Sequence, residues 1–175
     1  MGEMSESLEG WFWRSEPLAP GSAVVFDIDG VLANADGRQH FITSPSRDWH
    51  SFFHACDTDK VITETQRLLD IIDPGIVVVL LTGRPIEVSD KTLEWLNTND
   101  LRWDLLIMRK RGDYNASLSF KQQTIRQLRV MGFAVALAFE DDQRNREMFQ
   151  NEGIPCMYVH SGYYESRDSR DRRTQ

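Results

Sequence analysis

The chain has 175 residues, 41% of them hydrophobic and 27% charged, and a formal net charge of −7. That length makes one domain with a sizeable core, and the acidic balance argues against a general nucleic-acid coat protein while leaving room for an enzyme that touches a nucleic-acid end through a local basic patch. No stretch approaches the ~20 apolar residues that span a bilayer, and two cysteines, Cys56 and Cys156, make no disulfide framework, so the chain reads as reduced and cytoplasmic.

Taken in chain order, residues 1–20 read as an extension, anchored by Trp11, Phe12 and Trp13, without the basic-then-apolar pattern of a secretory signal. The first apolar run, 23–28, leads into Asp27, Ile28, Asp29 and Gly30. Residues 33–57 read as a small flap or helical cap, with Phe41, Trp49, Phe52 and Phe53 as its aromatics. Val61, Leu68, Leu69 and Ile72 recur at helical spacing and predict a helix that starts near Thr58 or Asp59. A second apolar run, 76–81, ends at Thr82, Gly83, Arg84 and Pro85. Val88, Leu93 and Leu96 predict a helix capped around Ser89 or Asp90. The third run, 105–108, ends at Arg109, Lys110 and Arg111. The next helix, carrying Phe120, Ile125, Leu128 and Met131, is opened by Lys121 and closed by Gly132. The fourth run, 135–139, ends at Glu140, Asp141 and Asp142. A short helix marked by Met148 and Phe149 and closed by Gly153 precedes the last run, 156–159. The tail, 164–175, holds Arg, Asp and Ser and reads as disordered.

Strands alternating with helices predict an α/β fold with a central parallel sheet covered on both faces, a Rossmann-like domain over residues 21–163. Such sheets bind ligands at the carboxyl ends of their strands. The residues that follow the runs are therefore expected to converge. They comprise carboxylates, cations and a hydroxyl, with Gly30 and Gly83 allowing close backbone approach. Asp27 and Asp29, two apart in an extended segment, point the same way and repel. A cation or a reacting phosphate would make that arrangement useful. The set suits phosphoryl transfer to a carboxylate, which needs a nucleophile, a proton donor, a divalent cation and donors for the phosphoryl oxygens. Hard oxygen ligands suit Mg²⁺. There is no Cys/His cluster for zinc and no GxxxxGK[ST] loop.

These residues resemble the motifs of the haloacid dehalogenase-like (HAD) hydrolases. FDIDGVLA is similar to the first motif, LLTGRP to the second, Lys121 to the motif III lysine and AFEDD to the acidic fourth, in order across residues 22–162. The resemblance implies the HAD fold and a phosphatase. Asp27 would be the nucleophile and Asp29 the group that protonates the leaving oxygen and then deprotonates water. Thr82 and the amides near Asp29 and Gly30 would bind phosphoryl oxygens, and Lys121 would hold the phosphate. Mg²⁺ would sit on Asp27, the Asp29 carbonyl and Asp141.

A closer similarity is to the 3′-phosphatase domain of phage polynucleotide kinase/phosphatase. It rests on Cys56-Asp57-Thr58-Asp59, Gly83-Arg84 and Arg111-Gly112-Asp113, with Glu140 in place of the first Asp of an Asp-Asp pair. Asn115, Ala116, Ser117 and Leu118 depart from the acidic and basic residues of that pattern. The resemblance implies a nucleic-acid 3′ end as substrate, with Gly30 and Gly83 at the phosphate, and leaves room for a kinase or ligase partner; the short flap leaves an open site at which Arg84, Arg109, Lys110 and Arg111 could bind flanking phosphates. A nucleotidase or other small-ester phosphatase, and a non-catalytic phosphate-binding module, stand as alternatives.

Overall fold

The structure, a computed structural model, describes residues 8–165. The first seven residues of the extension, and all of the tail beyond Glu165, lie outside the described residues.

Its strands are β1 (Trp11–Trp13), β2 (Ser22–Phe26), β3 (Ala33–Asn34), β4 (Lys60–Val61), β5 (Val77–Pro85), β6 (Leu105–Arg109), β7 (Ala134–Glu140) and β8 (Cys156–Tyr158). Its helices are α1 (His40–Thr43), α2 (Trp49–His54), α3 (Thr63–Ile71), α4 (Ser89–Thr98), α5 (Ser117–Val130) and α6 (Gln143–Asn151). Six strands form one sheet in the order β1-β6-β5-β2-β7-β8. All its pairings are parallel except β1 on β6, where Trp11 faces Ile107 and Trp13 faces Leu105. The three residues expected to anchor the extension are thus an edge strand of the sheet.

Alternation along the strands explains the two-sided burial. Val24 and Phe26 of β2, with Val78 and Leu80 of β5, join Leu69 of α3 and Trp95 and Leu96 of α4 in one core layer. Ala23, Val25, Val77 and Val79 turn the other way, onto Ile125 and Leu128 of α5 and Met148 and Phe149 of α6. Burying each large apolar side chain contributes roughly 1.5–3 kcal/mol. Because β2 lies between β5 and β7, the chain winds outward in both directions from it. The crevice of the sheet therefore opens at the carboxyl end of β2.

The flap expected over 33–57 is a short ribbon, Ala33–Asn34 against Lys60–Val61, enclosing α1 and α2. Phe52 is buried in it, whereas Trp49 is 43% exposed and stacks on Phe53 at 5.8 Å. Several boundaries differ from the sequence expectation: β2 stops at Phe26, and β5 runs on through Thr82, Gly83 and Arg84 to Pro85. α3 begins at Thr63 because Lys60 and Val61 are taken into the ribbon. α5 begins at Ser117, so Lys121 sits in its second turn.

Candidate active site

β2 stops at Phe26, and the Asp27 amide still donates to the Phe139 carbonyl of β7 at 3.0 Å. This last ladder bond fixes the Asp27 backbone beside β7. Its carboxylate accepts the Ile28 amide at 2.8 Å through Oδ1 and faces Lys121 Nζ at 3.1 Å through Oδ2. Lys121 is buried and also donates to Glu140 Oε2 at 2.6 Å. Glu140 Oε1 accepts the amides of Asp141 and Asp142, at 3.2 and 3.3 Å. Lys121 thus stands between two carboxylates, which hold it charged against the effect of burial.

Gly30 turns the chain immediately after Asp29, at φ +83°. Any Cβ there would clash with Asp141 Oδ2, so this position lets the first loop pass directly over Asp141. The turn sends Asp29 to a different set of partners. Its Oδ1 accepts Arg38 Nη2 at 2.5 Å and Arg84 Nε and Nη2 at 3.0 and 2.6 Å. Arg38 is itself gripped by Asp59, at 2.7 Å, and lies over the Phe52 ring at 4.3 Å. Both guanidiniums are buried, Arg84 completely. Burial raises the Asp29 pKa, but Arg84 and Arg38 outweigh it and hold the group at about 2.

Asp27, Glu140 and Asp141 offer oxygens that all lie within 4.8 Å of one another. Both Asp141 oxygens are buried, and beyond the Ser161 hydroxyl, which lowers the pKa of this carboxylate, no donor approaches them in hydrogen-bond geometry. Burial, with Asp27 and Glu140 alongside, pushes the Asp141 pKa up; burial also pushes Asp27 up, against the pull of Lys121. Buried carboxylate oxygens with so few donors are costly. An oxygen-seeking divalent cation would satisfy them, so the residues present fit Mg²⁺. Glu140 joins Asp27 and Asp141 as a candidate ligand, whereas the Asp29 side chain is committed to the arginines.

Thr82 is buried at the end of the same crevice and accepts the Arg84 amide at 3.2 Å. Asp27, Asp29, Gly30, Thr82, Lys121 and Asp141 are therefore brought together. Arg84, which the sequence suggests for a flanking phosphate, is turned inward onto Asp29. Arg109 lies beside Gly83, with Nη1 on the Asn115 carbonyl at 2.6 Å. Arg111 is exposed, 3.9 Å from Glu87. Asp142 caps α6, accepting the Arg144 amide at 3.0 Å, and pairs with the Arg144 side chain at 2.7 Å.

Sequence reasoning missed Arg38 and placed Asp59 only at a helix start, not at the site. Asp59 lies in the CDTD stretch that carried the closer similarity, which was a usable signal. Arg38 offered none: it is one arginine in a polar loop.

The model of the polynucleotide kinase PNKP phosphatase domain matches residues 21–164. The chain belongs to this family. It is a phosphoric monoester hydrolase of the HAD type. Among solved structures, this PNKP-type phosphatase is similar to a chain of the Pnkp1/Rnl/Hen1 RNA repair complex, with 23% identity and a TM-score of 0.68 over 90% of this chain and 47% of that one. A second Pnkp1/Rnl/Hen1 complex gives 23% identity and 0.67, over 90% and 52%. The class C acid phosphatase from Bacillus anthracis with tungstate bound gives 10% identity and 0.57, over 84% and 69%. The phosphatase described here thus spans about half the length of the Pnkp1-complex chains it matches.

Proposed function

We propose that this phosphatase removes a phosphate from the 3′ end of a polynucleotide, through an aspartyl-phosphate on Asp27 and with Mg²⁺ as cofactor. The observation that carries the reading is the opposite setting of two carboxylates two residues apart. Asp27 faces Lys121 at 3.1 Å amid other acids, and Asp29 faces two arginines. Lys121 and the acidic cluster that would hold Mg²⁺ set Asp27 where an attacking carboxylate and an entering phosphate are compensated, while the arginines hold Asp29 apart from that cluster.

An Asp27 oxygen attacks phosphorus, and the bond to the ester oxygen breaks. Asp29 gives its proton to that leaving oxygen. The two arginines keep Asp29 ionised in the free enzyme, so the proton it delivers is one its carboxylate first takes from the phosphate group of a monoanionic substrate. The hydrogen bonds from Arg38 and Arg84 to Asp29 all fall on Oδ1, which leaves Oδ2 for the moving proton. In the second half the Asp29 carboxylate takes a proton from water, whose oxygen attacks phosphorus as the bond to Asp27 breaks, releasing inorganic phosphate. Lys121 and Thr82 hold the phosphoryl oxygens. Asp27, Asp141, Glu140 and the Asp29 carbonyl would hold Mg²⁺, which supplies charge neutralisation for the entering phosphate.

The family match supports the polynucleotide substrate, and the structural likeness to a chain of an RNA repair complex supports an end-repair setting with a kinase or ligase partner. Two free cysteines support a reducing, cytoplasmic compartment. Among the described residues no helix is long and apolar enough to cross a membrane. The inward turn of Arg84 favours a second reading, a nucleotidase or small-ester phosphatase, because it withdraws one cation from the substrate. The deciding assay compares a 3′-phosphorylated oligonucleotide, a 5′-phosphorylated one and mononucleotides, each with and without Mg²⁺. Preference for the first, only with Mg²⁺, is expected. Equal efficiency on mononucleotides would replace the polynucleotide reading with the second one.

A further inference from the structure

α5 starts one turn before Lys121, with Ala116 at its N-cap and no side chain capping it. The first-turn amides of residues 117–119 consequently open onto a cavity of about 240 Å³, bounded on the other side by Asp142, Arg144 and Asn145. Asn145 is only 3% exposed. Its Nδ2 donates to Ser117 Oγ at 3.4 Å, and its Oδ1 has no partner. Because a hydroxyl donates or accepts, the Asn145 amide can be turned over and present its NH₂ group to the cavity.

Arg109 supplies the charge. Its Nε is buried with no partner. A Cβ on Gly83 would lie 3.9 Å from that Nε and 4.0 Å from both Arg109 Nη2 and Ser117 Oγ. Gly83, beside Thr82, thus stands between Arg109 and Ser117 with no side chain of its own to part them, which sets Arg109 behind the cavity-lining Ser117. The acid on the cavity wall, Asp142, is neutralised by its two-pronged pair with Arg144.

We propose that Arg109, Ser117, Asn145 and the first turn of α5 form a second anion subsite. Its ligand is a phosphate group one nucleotide away from the phosphate that reacts, and the assignment rests on the 3′-phosphatase reading above. Ser117 and Lys121 are four residues apart, about 6 Å along the helix axis. That rise is comparable with the step between neighbouring phosphates of a strand. A phosphate on Asp27 beside Lys121 therefore places its neighbour at the helix N-terminus, where amides and dipole attract an anion. The same residues account for the departure from the family pattern at 115–118: an acid at Ser117 would repel the ligand.

The test measures kcat/KM, with product identity, for a nucleoside 3′-monophosphate, the nucleoside 3′,5′-bisphosphate and a 3′-phosphorylated dinucleotide. The native chain is expected to favour the two probes with a second phosphate by roughly 10–100-fold, the value of a charge-assisted contact. Ser117→Asp should cut that preference to about twofold or less. Its melting temperature should not fall, because a carboxylate in the first turn suits the helix dipole. Asn145→Leu should lower the preference in the same direction. Favouring the dinucleotide over the bisphosphate assigns a phosphodiester as the ligand, and the reverse assigns a phosphate monoester. Equal efficiency on all three probes, or a preference unchanged in Ser117→Asp, overturns the subsite alone. Absence of turnover at any 3′-phosphate overturns the 3′-phosphatase reading and the subsite with it.

Discussion

Arg84 closes on Asp29 from the end of the neighbouring strand, with Nε and Nη2 against the same carboxylate oxygen at 3.0 and 2.6 Å. Arg38 meets that oxygen from the flap side, and Asp59 bonds Arg38 and reaches Arg84 at 3.4 Å. Four buried or nearly buried charges thus tie the flap to the catalytic loop. The repulsion between Asp27 and Asp29 is relieved by separate cations, Lys121 for one and two arginines for the other.

Asp29→Asn is expected to slow turnover by roughly 10²–10⁴-fold, the usual effect of losing a general acid and base. The loss should shrink for an aryl phosphate, whose leaving oxygen needs little protonation. Equal losses for aryl and alkyl esters would remove Asp29 from that role. The variant should also lose stability, by up to about 3–5 kcal/mol, because Arg38 and Arg84 would then share only Asp59.

Asp27→Asn is expected to abolish turnover while leaving the fold intact. Lys121 keeps its bond to Glu140 at 2.6 Å, and burial already penalises the ionised Asp27. Thermal denaturation should show no loss of stability. Near-native Mg²⁺-dependent turnover in this variant would exclude Asp27 as nucleophile.

Asp141→Ala should weaken Mg²⁺ binding far more than Asp142→Ala. The buried Asp141 carboxylate stands with Asp27 and Glu140, whereas Asp142 caps α6 and pairs with Arg144. Asp142→Ala should instead cost about 1 kcal/mol of stability through the lost cap. Metal titrations showing the reverse order would move the ligand to Asp142.

Mg²⁺ binding should release protons and tighten as pH rises from about 6 to 9. Burial raises the pKa of both Asp27 and Asp141, so a cation must displace protons they hold. The sign for stability follows. A carboxylate with a raised folded-state pKa contributes stability that is lost as pH rises through that pKa. The metal-free chain should therefore melt lower at pH 9 than at pH 6, and Mg²⁺ at about 100 times its Kd should restore roughly 2.7 kcal/mol. Asp29 runs the other way. Its contribution is present above the usual aspartate value of 3.8 and is lost as pH falls toward about 2. Calorimetry in buffers of different ionisation enthalpy would detect the released protons; no proton release would contradict the raised carboxylates.

Preference for an oligonucleotide over a mononucleotide should fall as salt rises, because counterions displaced from the strand supply part of the affinity. Charge reversal at exposed Lys110 and Arg111 should raise KM for the oligonucleotide chiefly at low salt. A salt-independent KM would place the substrate strand away from this loop.

Alone, the sequence determined the alternation of strands and helices, the order of the chemical groups at the strand ends, and the resemblance on which the proposed roles of Asp27 and Asp29 rest. Those features are legible because apolar periodicity is local and because each motif is a few residues long beside a strand end. Only the tertiary structure decided which charge meets which. Arg38 and Asp59 are 21 residues apart and Arg84 lies 55 residues from Asp29, yet their guanidinium and carboxylate groups share one buried cluster. No spacing rule predicts such a pairing, since it depends on where the flap and two strands set their ends. The same holds for β1. Three aromatic residues in an extension became a sheet edge only because β6 offered an unpaired side. The inward turn of Arg84 shows why: a strand-end arginine can face substrate or a carboxylate equally well in sequence, and packing around Trp95 and Thr92 selects the carboxylate.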